Sequence, residues 1–96
     1  MEDFRVLVVD DELDFLETIV KRFKRRKIRA DGVSSGREAL ALLEQEHFDV
    51  VILDVRMPGM DGIETLKEIK RKRPLMVVIL LTGYTSDELV MQGMQL

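Results

Sequence analysis

Val6-Leu7-Val8-Val9-Asp10-Asp11 is an apolar run closed by two carboxylates, and Val50-Val51-Ile52-Leu53-Asp54 repeats the pattern with one. A third apolar run, Leu75 to Leu81, ends at a hydroxyl, Thr82. Runs of this length without polar alternation read as central strands of a parallel sheet, apolar on both faces. Parallel strands share a direction, so their polar endings gather at one edge, where α/β folds bind ligands. Three acids and a hydroxyl at that edge describe a metal-assisted phosphoryl site.

Helical spacing fills the intervals between the runs. Phe15, Leu16, Ile19, Val20 and Phe23 form the stripe of a first helix. Ala39, Leu40 and Leu43 form that of a second, and Ile63, Leu66 and Ile69 that of a third. A weaker strand, Ile28 to Val33, reads as an edge strand, and a fourth helix begins near Ser86. Ser35 with Glu38, Asp61 with Glu64 and Thr85 with Glu88 have capping-box spacing, and Asp11 with Asp14 is an acidic version of it. Strand and helix alternate through short connections, which implies right-handed crossovers and an open, doubly wound α/β sheet.

The chain has 96 residues, enough for one domain. Its hydrophobic and charged shares, 46% and 34%, are those of an ordinary globular protein. With no cysteine, disulfides, zinc thiolate sites and thiol nucleophiles are excluded. The longest apolar run has seven residues, too few to span a bilayer. Met1-Glu2-Asp3-Phe4 lacks the basic and apolar regions of a signal peptide, so a cytoplasmic location is expected.

Net charge is −3, yet Lys21 to Arg29 holds seven basic residues in nine and Lys67 to Arg73 five in seven. Both clusters fall at helix ends, where cations complement the helix dipole. Phe23 is the only aromatic interleaved with the first cluster, so neither direct nucleic-acid contact nor membrane association is expected.

The acids pose an electrostatic problem. Two like charges 4 Å apart repel by about 4 kcal/mol at an effective dielectric near 20. Three carboxylates therefore gather only with protonation or a cation, and Mg²⁺, which prefers oxygen ligands, is the economical solution. A helix cap needs one acid, not two, and leaves Asp54 unexplained. After Asp54, Pro58-Gly59 suits the centre of a type II turn, and Pro58 keeps Met57 out of the helical region. That stiff loop holds Asp54 and the Arg56 backbone in place. A carboxylate so placed acts as a nucleophile towards phosphorus while the cation neutralises phosphoryl oxygens. Thr82 would donate a hydrogen bond to the new phosphoryl group and report it to nearby loops, and Gly83 leaves room for it. His47, the lone histidine, reads as a surface side chain, and the six methionines as packing residues.

Val8-Val9-Asp10-Asp11-Glu12, Asp54-Val55-Arg56-Met57-Pro58-Gly59-Met60-Asp61-Gly62 and Leu81-Thr82-Gly83 resemble the receiver domain of two-component response regulators, in order and at family spacing. The resemblance implies a flavodoxin-like sheet of order 2-1-3-4(-5). It implies Asp54 as phosphoacceptor for the phosphohistidine of a sensor histidine kinase. Asp11 and Asp54 would bind Mg²⁺ directly, Asp10 largely through water, and the Arg56 backbone carbonyl would add a ligand. Thr82 would be the switch hydroxyl, with an output domain or downstream protein as further partner. Such a module is a phosphoaccepting signalling domain, not an enzyme.

The family continues into a fifth strand bearing a lysine and a nearby aromatic, then a fifth helix. Here the last lysine is Lys72, and Tyr84 is not the fifth-strand aromatic. The expectation is a single domain over 1–96, C-terminally incomplete, with impaired phosphotransfer and a homodimer through strand four or the exposed sheet face. Two rivals are an interaction module that never accepts phosphate and a haloacid-dehalogenase-like phosphatase fragment with Asp10 as nucleophile. The second usually carries an aspartate two places after its nucleophile, where this chain has Glu12, and leaves the Asp54 loop unexplained.

Overall fold

The computed structural model describes residues 4–55 and 62–81. Their elements are β1 (Arg5–Val9), α1 (Leu13–Arg25), β2 (Arg29–Val33), α2 (Gly36–Gln45), β3 (Val50–Asp54), α3 (Gly62–Lys72) and β4 (Val77–Leu81). The strands form one parallel sheet of order β2-β1-β3-β4. This is the expected doubly wound arrangement, with β2 at one edge.

Alternate residues of each strand supply two apolar layers. On one face Leu7, Val9, Val51 and Leu53 pack with Ala39 and Leu43 of α2 and Leu66 and Ile69 of α3. On the other, Val6, Val8 and Ala30 pack with Leu16 of α1, with Ile19, Val20 and Phe23 partly buried around them. β1 is buried from both sides, as its unbroken apolar run requires.

β4 has the apolar run of a central strand but is covered on one face only. It is an edge of the described sheet. Val78 and Leu80 pack against the α2–α3 layer, while Val77 and Ile79 remain 54% and 49% exposed. The reason is coverage: α1 lies over β1 and β2, away from β4. The strand also starts later than its apolar run. Arg73-Pro74-Leu75-Met76 is a turn closed by the Met76 amide on the Arg73 carbonyl at 3.0 Å, with proline in the position that fixes the turn. Leu75 is expelled to the tip, 94% exposed.

Two further boundaries shift. Ile28 belongs to the end of α1 rather than to β2. The Lys27 amide reaches the Lys24 carbonyl at 2.9 Å and the Ile28 amide reaches Phe23 at 3.0 Å. That is the paired bonding of a Schellman motif, with Lys27 at its left-handed position (φ 61°). At the other end, α1 is not capped by Asp11. Its N-cap is Glu12, with no side-chain cap. The α2 cap is as expected: Ser35 Oγ accepts the Glu38 amide at 3.1 Å. The Glu38 carboxylate, however, takes its hydrogen bond from Ser34 Oγ at 3.0 Å. Asp61, Thr85, Glu88 and the fourth helix lie outside the described residues.

Candidate functional site

β1 and β3 are neighbours, with Val9 level with Leu53. Asp10 and Asp54, each next in its chain, therefore come level at the carboxy-terminal edge. Asp11 follows at once, and carboxylate oxygens of Asp10, Asp11 and Asp54 all lie within 4.8 Å of one another. Sequence reading named all three, and the fold brings them together.

Asp10 is the buried member, 5% exposed, and the other two are half-buried. Its backbone amide donates to the Val33 carbonyl at the end of β2, 3.1 Å away. Its Oδ1 accepts the Glu12 amide at 2.9 Å. Burial pushes the Asp10 carboxyl above the usual carboxylate range, opposed by the Glu12 amide and reinforced by the charges of Asp54, Asp11 and Glu12. The cluster thus gathers three carboxylates, each a hard oxygen donor, at one point of the sheet edge. That donor set fits a divalent cation of the Mg²⁺ kind.

Gly62, quoted above only within the receiver motif, closes on the end of β3. The Gly62 amide donates to the Val55 carbonyl at 3.3 Å, and a Cβ at Gly62 would overlap the Val55 Cα and the Asp54 carbonyl oxygen. The returning chain therefore lies flat on the backbone beside Asp54. Val55 in turn donates to the Leu81 carbonyl at 3.3 Å. Beyond that motif Gly62 had no legible role of its own in the sequence, since close backbone approach leaves no spacing signal.

Arg56, Pro58 and Gly59 lie outside the described residues, as do Thr82 and Gly83. Leu81, the residue before Thr82, pairs with Asp54 across the sheet. His47 sits at the opposite edge, its side chain 77% exposed and its Nε2 3.3 Å from Asp49. At that edge the Arg5 guanidinium lies over the Phe48 ring, 4.3 Å from its centre. Among the described residues no helix is long and apolar enough to cross a membrane.

An open parallel sheet with three carboxylates converging at its strand ends defines a flavodoxin-like α/β domain with an acidic rim. The chain belongs to the family of response regulator receiver domains, whose family model matches residues 6–96. It is 35% identical over 94 residues to the transcriptional regulatory protein ZraR of Escherichia coli (strain K12), covering 98% of this chain and 21% of that protein. It is 41% identical over 88 residues to the hydrogenase transcriptional regulatory protein HoxA of Cupriavidus necator, covering 92% and 18%. The chain thus spans about a fifth of the length of these curated relatives. Among solved structures it resembles response regulator TrrA of Thermotoga maritima in complex with Mg(2+)-BeF, at 34% identity and a TM-score of 0.87, covering 95% of this chain and 79% of that one. The family is a signalling module of two-component systems. The haloacid-dehalogenase reading is set aside, because the family match includes the Asp54 loop which that reading left unexplained.

Proposed function

We propose that this chain takes a phosphoryl group from the phosphohistidine of a sensor histidine kinase onto Asp54, in the presence of Mg²⁺. The observation that carries this reading is the Asp10–Asp11–Asp54 cluster, gathered within 4.8 Å on a receiver-family sheet. The Mg²⁺-containing complex of the Thermotoga relative supports the cation.

The Asp11 and Asp54 carboxylates and the Arg56 backbone carbonyl would hold Mg²⁺ directly, and Asp10 would hold it through water. When bound, the ion supplies positive charge against the phosphoryl oxygens. An Asp54 carboxylate oxygen attacks phosphorus in line. The P–N bond to the donor imidazole breaks, and the imidazole keeps the electron pair and takes up a proton. Pro58 and Gly59 stiffen the loop that holds Asp54. Thr82 donates its hydroxyl hydrogen to the phosphoryl group, beside which Gly83 leaves space.

The chain is a phosphoaccepting domain that turns over no separate substrate. Residues 1–96 belong to a single receiver domain of a cytoplasmic regulator, and its message passes to an output domain or downstream protein. The transcriptional regulators among its relatives support that place. The exposed Val77 and Ile79 on edge strand β4 support a homodimer through that strand or face.

The test is labelling by a small phosphodonor with Mg²⁺. The chain should gain a hydroxylamine-labile label that Asp54→Asn abolishes, and Asp11→Ala should lose Mg²⁺ binding. Mg²⁺ binding without any label would instead mark an interaction module that accepts no phosphate. Persistent label in Asp54→Asn would move the acceptor elsewhere.

A further inference from the structure

Where α1 turns into β2, an open surface groove of about 390 Å³ lies at the edge of the sheet opposite the acidic rim. Lys24, Lys27 and Arg29 line it, together with Arg5 and a single acid, Asp31. Asp31 is already engaged, since Arg5 pairs with it at 2.8 Å and with Glu46 at 2.9 Å. Lys24, Lys27 and Arg29 form no ion pair among the described residues. Arg5 Nε is enclosed and has no hydrogen-bond partner among them either.

The second basic cluster behaves differently. At the end of α3, Arg71 pairs with Glu68 and Lys72 with Glu44, while Lys70 and Arg73 donate to the Met76 and Leu43 carbonyls. Helix-dipole compensation and local pairing account for those cations. In the first cluster they account for Lys21, which pairs with Glu17, and for Arg22, Lys24 and Arg25 in the last turn of α1, but not for Lys27 and Arg29. Dipole stabilisation fades beyond the last turn, yet Lys27 lies past the end of α1 and Arg29 is already in β2. Lys27 also occupies the left-handed position that glycine fills most easily.

The lining has no aromatic ring, and its apolar part is Ile28 and Ala30. Recognition here rests on charge alone. A single phosphate would satisfy one or two of the cations. A linear chain of phosphates offers several anionic oxygens a few ångströms apart within a groove of this size. We propose that the α1–β2 corner binds the phosphate chain of an oligophosphate through Lys24, Lys27 and Arg29, with Arg5 as its inner wall. This stands independently of phosphoryl transfer to Asp54.

The test is calorimetric titration of the whole chain with inorganic tripolyphosphate in EDTA, which keeps the acidic rim free of metal. Saturable binding at one site is expected, weakening as salt screens the cations. The Lys24→Gln/Arg29→Gln double variant should bind at least about tenfold more weakly. Asp31→Asn should bind more tightly, because it removes the only lining acid. Lys27→Gly should also weaken binding while unfolding at no lower temperature, which separates the lost charge from lost structure. ATP should match tripolyphosphate, since nothing lines the groove to read a base. No saturable heat at millimolar tripolyphosphate, or undiminished affinity in the double variant, would overturn the proposal. A clear preference for ATP would assign a base-reading site instead. Tighter binding of a short DNA duplex would make the corner a nucleic-acid face.

Discussion

Gly36, in the first turn of α2, lies against Thr65, a fully buried residue of α3. A methyl group at Gly36 would overlap the Thr65 hydroxyl and come within 3.2 Å and 3.3 Å of its Cβ and Cγ2. The missing side chain on one helix is thus the space filled by the other, and the pair sets how closely α2 and α3 approach. Gly36→Ala should cost about 1–3 kcal/mol by overpacking. Thr65→Ala removes the atom that would overlap, so the double variant should lose less than the sum of the single losses. Urea unfolding of all four proteins measures that coupling, and strict additivity would show that the helices simply move apart.

Gly62→Ala should be worse than Gly36→Ala. Its methyl would meet the backbone of Asp54 and Val55, for which no second-site side-chain change compensates. The displaced backbone belongs to the proposed acceptor, so Mg²⁺ affinity should fall together with stability. A variant that lost stability but kept its Mg²⁺ affinity would uncouple this glycine from the acidic rim.

Two aspartates should tilt the pH dependence in opposite directions. Burial raises the Asp10 carboxyl, so its contribution to the metal-free fold is fullest below the ordinary aspartate range and is lost as pH rises through the raised value. Asp10→Asn should therefore unfold at a higher temperature than the parent at neutral pH in EDTA, and lose that advantage in acid. Asp49 is the converse. Its Oδ2 accepts the Arg5 backbone amide at 2.8 Å, and that bond holds its carboxyl below the usual range. Its contribution is present at neutral pH and is lost as pH falls through the lowered value, although solvent screening keeps it small. Thermal unfolding of Asp10→Asn and Asp49→Asn across about pH 2 to 8 reads both slopes.

Arg5 is the side chain whose loss should reach furthest from the acidic rim. Its guanidinium joins Asp31 on β2 to Glu46 after α2 and lies over Phe48, which is 1% exposed. Arg5→Ala should cost about 1–2 kcal/mol, much of it in packing rather than charge. Arg5→Met, which keeps an apolar stem over the ring, should recover part of that loss in denaturant unfolding.

The strands that carry the acids were the most legible part of the chain. β1 runs from Arg5 to Val9 as its apolar run and flanking polar residues imply, and the parallel order brought Asp10, Asp11 and Asp54 together as expected. What failed was local. An apolar run does not say where a turn ends, so Leu75 read as strand although Pro74 closes a turn around it. Acidic spacing does not choose between two hydrogen bonds, so Asp11 read as the α1 cap although Asp10 takes the Glu12 amide. The contacts of Arg5 and Gly62 went unread because their partners are distant in sequence or are backbone atoms.

The level pairing of Val9 with Leu53 makes the acidic rim a vernier for the sheet. A slip of one residue between β1 and β3 would carry one carboxylate about 3.3 Å along its strand. It would also turn that side chain to the opposite face. Transplanting this chemistry to another scaffold therefore means copying the alignment of two strands, because the three aspartates alone carry no instruction about height.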